Sequence, residues 1–98
     1  MLQANGMRTI VQTVTTTPVV LDVTKILHGE DVLAVMIMPQ VISSVEMRGA
    51  NASDDWVNLG GGLELGIDFD VHTASNLLML RSVSGSREVS LFFSINKR

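Results

Sequence analysis

The 98-residue chain lacks several features, and each absence narrows the class of protein. It has no cysteine, so disulfides, thiolate metal sites and cysteine nucleophiles are excluded. No run of about 18 apolar residues occurs, so no segment predicts a membrane-spanning helix. Only 17% of the residues are charged, against an average of about 25%. So few charges leave apolar surface outside the core of a small domain, which predicts a partner chain.

Positive charge is especially scarce. Seven Lys and Arg residues against ten Asp and Glu residues give a formal net charge of -3. A protein that binds nucleic acid needs a basic face to displace counterions from phosphates, so the composition argues against nucleic acid as a partner. We expect no membrane partner either.

Helical periodicity is missing over any useful length, and a period of two takes its place. Leu63 to Val71 alternates apolar residues with polar residues or glycine. Only in a strand does such a pattern place all the apolar side chains on one face, toward a core, and the polar ones on the other face, toward water. Strand-like segments recur along the chain, separated by turn signals about every ten residues. They predict an all-β fold of seven to nine short strands, either an antiparallel β-sandwich or a jelly-roll-like barrel.

Turn residues predict how these strands are divided. Residues 1–8 are expected to form a flexible or partner-ordered arm, and residues 9–98 a single sandwich domain. Pro39 should end the apolar strand 32–38, and Gly60 to Gly62 should form a flexible hairpin turn. Ser84 to Ser86 should join the last two strands, 77–83 and 88–95, in a terminal hairpin.

Apolar side chains on the second face of a strand are candidates for subunit contact. In the last strand Phe92 interrupts a face that is otherwise polar. The strand 32–38 is apolar on both faces, so Leu33, Val35 and Ile37, or their alternates, need a covering partner or a second layer. Trp56 is either a core plug or an interface anchor. We expect docking on the side of these two strands, with the acidic strand at 63–71 on the side left to water.

A binding module is the rival hypothesis. Its groove for a carbohydrate or a receptor would be lined by five residues around one polar loop: Asn51, Asp54, Asp55, Trp56 and Asn58. A single tryptophan is few for a sugar-binding face, because such faces usually stack several aromatic rings on their ligand.

Little in the residue types and spacings of the sequence supports metal binding or catalysis. Asp68, Asp70 and His72 have the spacing of a cation site on one strand face, yet alternating polar residues are also the ordinary wet side of a strand. No Gly-x-Ser-x-Gly motif occurs. We therefore expect no metal, no other cofactor, no catalytic residue and no enzymatic activity.

The order of segments resembles a known class of proteins. A Thr-rich first strand (Thr13 to Thr17), an apolar strand and the turn Trp-Val-Asn-Leu-Gly-Gly-Gly-Leu-Glu-Leu-Gly are followed by a final pair of strands. Between Thr9 and Ile95 this rhythm is similar to that of capsid decoration or cement proteins of tailed bacteriophages. The resemblance lies in rhythm and composition, and no functional residue carries over from it.

The resemblance implies a structural role in a virion. Such a protein would assemble as a homo-oligomer, possibly a trimer, and bind the major capsid protein or another virion protein. Assembly in the host cytoplasm followed by incorporation into the virion would agree with the absence of cysteine.

Overall fold

A computed structural model describes residues 6–22, 30–49, 53–66 and 77–97. These residues form two antiparallel sheets of four strands each and contain no helix. The strands are β1 (Gly6–Val14), β2 (Val19–Asp22), β3 (Glu30–Pro39), β4 (Val45–Gly49), β5 (Val57–Asn58), β6 (Leu63–Gly66), β7 (Leu77–Ser82) and β8 (Arg87–Lys97).

The strand order defines the topology of the sandwich. The first sheet has the order β1-β8-β3-β6 and the second has the order β2-β7-β4-β5. Four of the antiparallel pairs are nested, because β1 pairs with β8, β2 with β7, β3 with β6 and β4 with β5. Eight strands in two sheets with this nesting have the connectivity of a jelly roll. The predicted all-β class is confirmed, and the eight described strands fall within the predicted number.

The core lies between the two sheets and consists of aliphatic side chains and one aromatic ring. In β8 the alternation predicted from the sequence is confirmed, because Val89, Leu91, Phe93 and Ile95 are fully buried. They pack against residues of the second sheet such as Leu80. Burial of this kind stabilises the fold by about 25 cal/mol for each Å² of apolar surface removed from water.

A β-bulge in β3 changes which residues of that strand face the core. The pairing of β3 with β8 shifts register between Val32 and Ala34. The extra residue changes the phase of the alternation, so Val32, Val35 and Ile37 are all buried. Val35 and Ile37 therefore belong to the core, and their expected place on a docking surface is corrected.

Several predicted connections are wrong because the chain crosses between the sheets where a hairpin was expected. The strands β7 and β8 flank Ser84 to Ser86 but lie in different sheets, so they do not pair with each other. The turn at Gly60 to Gly62 likewise carries the chain from β5 in the second sheet to β6 in the first. Turn residues permit a reversal without selecting the sheet to which the chain returns.

The strand boundaries also differ from the sequence prediction in places. Residues 6–8, which were assigned to an arm, form the start of β1 and pair with β8. The strand expected at 63–71 is present as Leu63–Gly66, and its residues 67–71 lie outside the described part of the chain. Residues 1–5 also lie outside it.

Candidate docking face

The outward surface of the first sheet carries exposed apolar side chains on neighbouring strands. Neighbouring strands bring residues into rows across this surface, and the central row joins Thr9, Phe92, Met36 and Glu64. A row on one side joins Met7, Ser94 and Ala34, and a row on the other side joins Val11, Ser90 and Met38. We define the outer apolar face by its six apolar members: Met7, Val11, Ala34, Met36, Met38 and Phe92.

These side chains are accessible to solvent to different degrees. Met7 is 65% exposed and Val11 is 57% exposed, while Met36 and Met38 are exposed by 37% and 38%. Phe92 is half-buried between its neighbours. Among the described residues of the three rows, Glu64 is the only ionisable one, and the remaining polar groups are small hydroxyls. The surface is therefore nearly uncharged over three strands.

A shallow depression of about 350 Å³ lies at the β6 side of this face. It is lined by Met36, Met38, Gly61, Gly62, Leu63 and Glu64. Gly62 permits the close approach of the turn to β3, since its φ is +143° and a Cβ there would lie 3.1 Å from the Ile37 carbonyl oxygen. The depression is open and mostly apolar, which suits a protruding side chain of another protein.

The structure separates the sequence-predicted interface residues. Phe92 lies on the outer apolar face, whereas Leu33 is half-buried at the bulge. The alternates Met36 and Met38 hold the outward positions of β3, and the bulge is the reason that no simple alternation could identify them. Glu64 lies on the same face, opposite Met36, so the acidic strand does not face away from the candidate docking surface.

The outward surface of the second sheet has a different chemistry. Trp56 lies outside the core, with the Arg81 Cζ atom 4.0 Å and the Arg48 Cζ atom 5.2 Å from the centroid of its ring. Arg81 also donates a hydrogen bond through Nε to Glu46 Oε1 at 2.9 Å. The arginines come from β7 and β4, so the cluster ties the residue before β5 to the sheet through cation–π contacts and an ion pair. The core-plug interpretation of Trp56 is therefore wrong.

Two residues of the rival carbohydrate groove already make contacts within the fold. Asn58 uses both ends of its amide within the fold, because Nδ2 donates to the Ser43 carbonyl at 3.0 Å and Oδ1 accepts from the Gly60 N–H at 2.8 Å. Asp54 packs against Gly49, where even a Cβ would collide with its carboxylate. Asp55 is exposed, and Asn51 lies outside the described residues.

Other candidate sites are limited in the described ranges. No group of three acidic or histidine residues comes together there to hold a metal ion. Asp68, Asp70 and His72, the cation site considered from the sequence, lie outside those ranges. None of the described segments forms a helix that could cross a bilayer.

Comparison with known proteins found no matching family model, no matching curated protein and no matching solved structure.

Proposed function

We propose that this chain is a non-catalytic structural protein that binds a viral capsid as a decoration or cement subunit. The outer apolar face is the observation that carries the proposal. It supports the proposal because a small β domain with an exposed apolar sheet surface is suited to bind a protein partner.

The dimensions of the face suit the centre of a protein–protein interface. From Met7 to Val11 the face extends about 13 Å along β1, and from β1 to β3 it extends about 10 Å across two strand spacings. A standard interface covers about 800 Å² on each partner, with an apolar centre depleted of charge and a polar rim. The face therefore supplies the centre, and the surrounding hydroxyls and Glu64 supply part of the rim.

The residue types of the face also favour a protein partner. Methionine contributes three of the six apolar members, and its unbranched thioether side chain adapts to irregular surfaces. Phe92 is a large anchor in the central row, and aromatic anchors contribute much of the binding energy of interfaces. A carbohydrate ligand would need exposed rings and free hydrogen-bonding groups, which these six side chains do not offer.

The outward surface of the second sheet is less suited to bind a carbohydrate ligand. The ring of Trp56 already contacts two guanidinium groups, and the amide of Asn58 is already hydrogen-bonded. These contacts leave less of the ring and of the amide for a sugar, so the carbohydrate-binding alternative is the weaker proposal.

The test is binding to empty shells assembled from the major capsid protein that the same genome encodes. The wild-type chain should co-sediment with shells to a fixed stoichiometry and raise their melting temperature. Met38→Glu, which puts a carboxylate into the face, should weaken binding at least tenfold, since burying an unpaired charge costs several kcal/mol. Val20→Glu is the matched control on the outward surface of the second sheet, where Val20 is exposed, and it should bind like wild type.

Three results would overturn the proposal. One is the absence of any capsid protein in that genome, and another is the absence of saturable shell binding. The third is glycan binding on an array, with or without calcium, that Trp56→Ala abolishes, since this outcome would favour the rival function.

A further inference from the structure

The outer edge of β1, with which no described strand pairs and which we call the free edge, is a further feature of the first sheet. Within the described residues β1 has nine residues and β5 has two, while β2 and β6 are described over four residues each, up to the point where the described ranges end. Among the described residues, only β8 pairs with β1. Natural edges are usually short or protected by lysine or proline, because their unpaired backbone groups can accept another strand. β1 contains neither residue, and Arg8 is its only charge.

Hydrogen bonding in β8 fixes which residues of β1 point toward that free edge. The Gln40 N–H donates to the Glu88 carbonyl at 3.0 Å, so Glu88 directs its backbone groups toward β3. Thr13 pairs with Glu88 and must therefore turn its own N–H and carbonyl away from β8. The Gln12 side-chain amide agrees with this phase, because it donates to the Thr13 carbonyl at 3.1 Å. Counting back by twos, the outward-directed residues of β1 are Thr13, Val11, Thr9 and Met7.

We propose that this edge pairs with the same edge of a second copy, antiparallel about a two-fold axis. The register that centres on Ile10 sets Met7 opposite Thr13 of the second copy, and Thr9 opposite Val11 of the second copy. All four resulting pairs are hydrogen-bonded pairs, and each exchanges two bonds. About eight hydrogen bonds result, which matches the roughly ten of a typical interface.

A second copy fits this edge better than an unrelated strand. An antiparallel edge is complementary to itself, and closed two-fold dimers are the commonest oligomers. In the register centred on Ile10, Arg8 lies opposite Gln12, so the two arginines do not oppose each other. Ile10 lies opposite its own symmetry mate, which adds an apolar contact. The paired β1 edges would be the contact between copies in the proposed oligomer. This pairing follows from the edge of β1 and does not require that the chain binds shells.

Proline at position 11 tests the edge while leaving the hydrogen bonds between β1 and β8 in place. Val11→Pro removes one outward N–H that does not bond to β8. Val20→Pro is the matched control on the edge strand of the second sheet. There the Val83 N–H donates to the Ser44 carbonyl at 3.0 Å, so β7 directs Leu80 toward β2 and bonds to Val19, which leaves the Val20 N–H facing outward.

The measurement is solution mass by light scattering, with circular dichroism to show that each variant is folded. Wild type and Val20→Pro should have twice the 10.6 kDa chain mass at about 100 μM, and Val11→Pro should have the mass of one chain. A wild type that stays monomeric or forms a trimer would overturn the inference, as would a folded Val11→Pro variant that keeps the mass of a dimer.

A covalent trap keeps the inference testable even if Val11→Pro does not fold. In the proposed register the two Ile10 Cα atoms are about 4.5 Å apart, within the range that a disulfide spans. Because the chain has no cysteine, Ile10→Cys should give a covalent dimer on mild oxidation, and Val20→Cys should give none. Equal cross-linking of both variants would overturn the inference. A monomer that binds shells would refute the edge pairing alone, and a dimer that binds none would refute the proposed function alone.

Discussion

Because of the β-bulge in β3, we predict very different losses of stability for substitutions at two neighbouring residues. Ile37 is fully buried and Met36 is 37% exposed, although simple alternation from Val32 would reverse these roles. Ile37→Ala removes buried methylene and methyl groups and leaves a cavity, at a cost of roughly 2–5 kcal/mol. Met36→Ala removes atoms that already contact water and should cost less than about 1 kcal/mol.

These costs are large against the whole stability of a domain of this size. A single domain has an unfolding free energy of about 5–15 kcal/mol, and each kcal/mol changes the melting temperature by roughly 4–8 °C. We therefore expect Ile37→Ala to lower the melting temperature by more than about 10 °C, and Ile37→Val by about 4–8 °C. The valine variant keeps the measurement possible if the alanine variant does not fold.

Thermal unfolding by circular dichroism is the assay, with chemical denaturation as a check on the free energy. Each variant should be measured over a roughly hundredfold range of protein concentration, because self-association adds stability that depends on concentration. If Met36→Ala costs as much as Ile37→Ala at every concentration, the bulge does not set the phase of β3, and the assignment of the outer apolar face fails with it.

Four further substitutions test the turns and the second sheet. Gly62→Ala should destabilise the fold by about 1–3 kcal/mol because of its positive φ, while Gly61→Ala, whose Cβ would lie 3.9 Å from Ile42, should be nearly neutral in the same thermal melts; equal effects would contradict the geometry. Asn58→Ala should lower the unfolding free energy by about 1 kcal/mol through two lost hydrogen bonds, and an unchanged melting temperature would argue against them. Arg81→Met should cost no more than about 1 kcal/mol yet alter the fluorescence of the only tryptophan; an unaltered emission spectrum would refute the contact with the Trp56 ring.

The strands and one face of the core could be predicted because the two-residue period of apolar side chains can be seen within a single segment of the sequence. The four buried residues of β8 are identified correctly, since period two assigns them to one face without any knowledge of neighbours. Leu63–Gly66 is a strand for the same reason. By contrast, Val35 and Ile37 were misplaced because a bulge depends on how β3 pairs with β8, which no local pattern records.

The pairing of strands could not be predicted from turn residues. Ser84 to Ser86 has the composition of a hairpin turn and lies between two strand-like segments, 77–83 and 88–95. In the structure Val83 donates to Ser44 and Ser82 donates to Thr15, so β7 is held by the second sheet before the chain crosses to β8. The choice of sheet rests on these long-range hydrogen bonds and on the shared core.

The same phase of β1 governs both its side chains and its backbone groups. Met7, Thr9, Val11 and Thr13 direct their side chains to the outward surface, and their backbone groups to the free edge. In an antiparallel pair, directly opposed residues have their side chains on the same side of the sheet. Pairing of two copies along this edge therefore places both outer apolar faces on one side of a continuous eight-stranded sheet. Such a dimer could engage one shell surface at two points, and the second contact would form at a high effective concentration. Because Val11 itself belongs to the outer apolar face, Thr13→Pro is the better test of this coupling: it removes an outward N–H of β1 outside that face. Thr13→Pro should give the mass of one chain and weaken shell binding, and equal binding by monomer and dimer would show that the edge makes no contribution to docking.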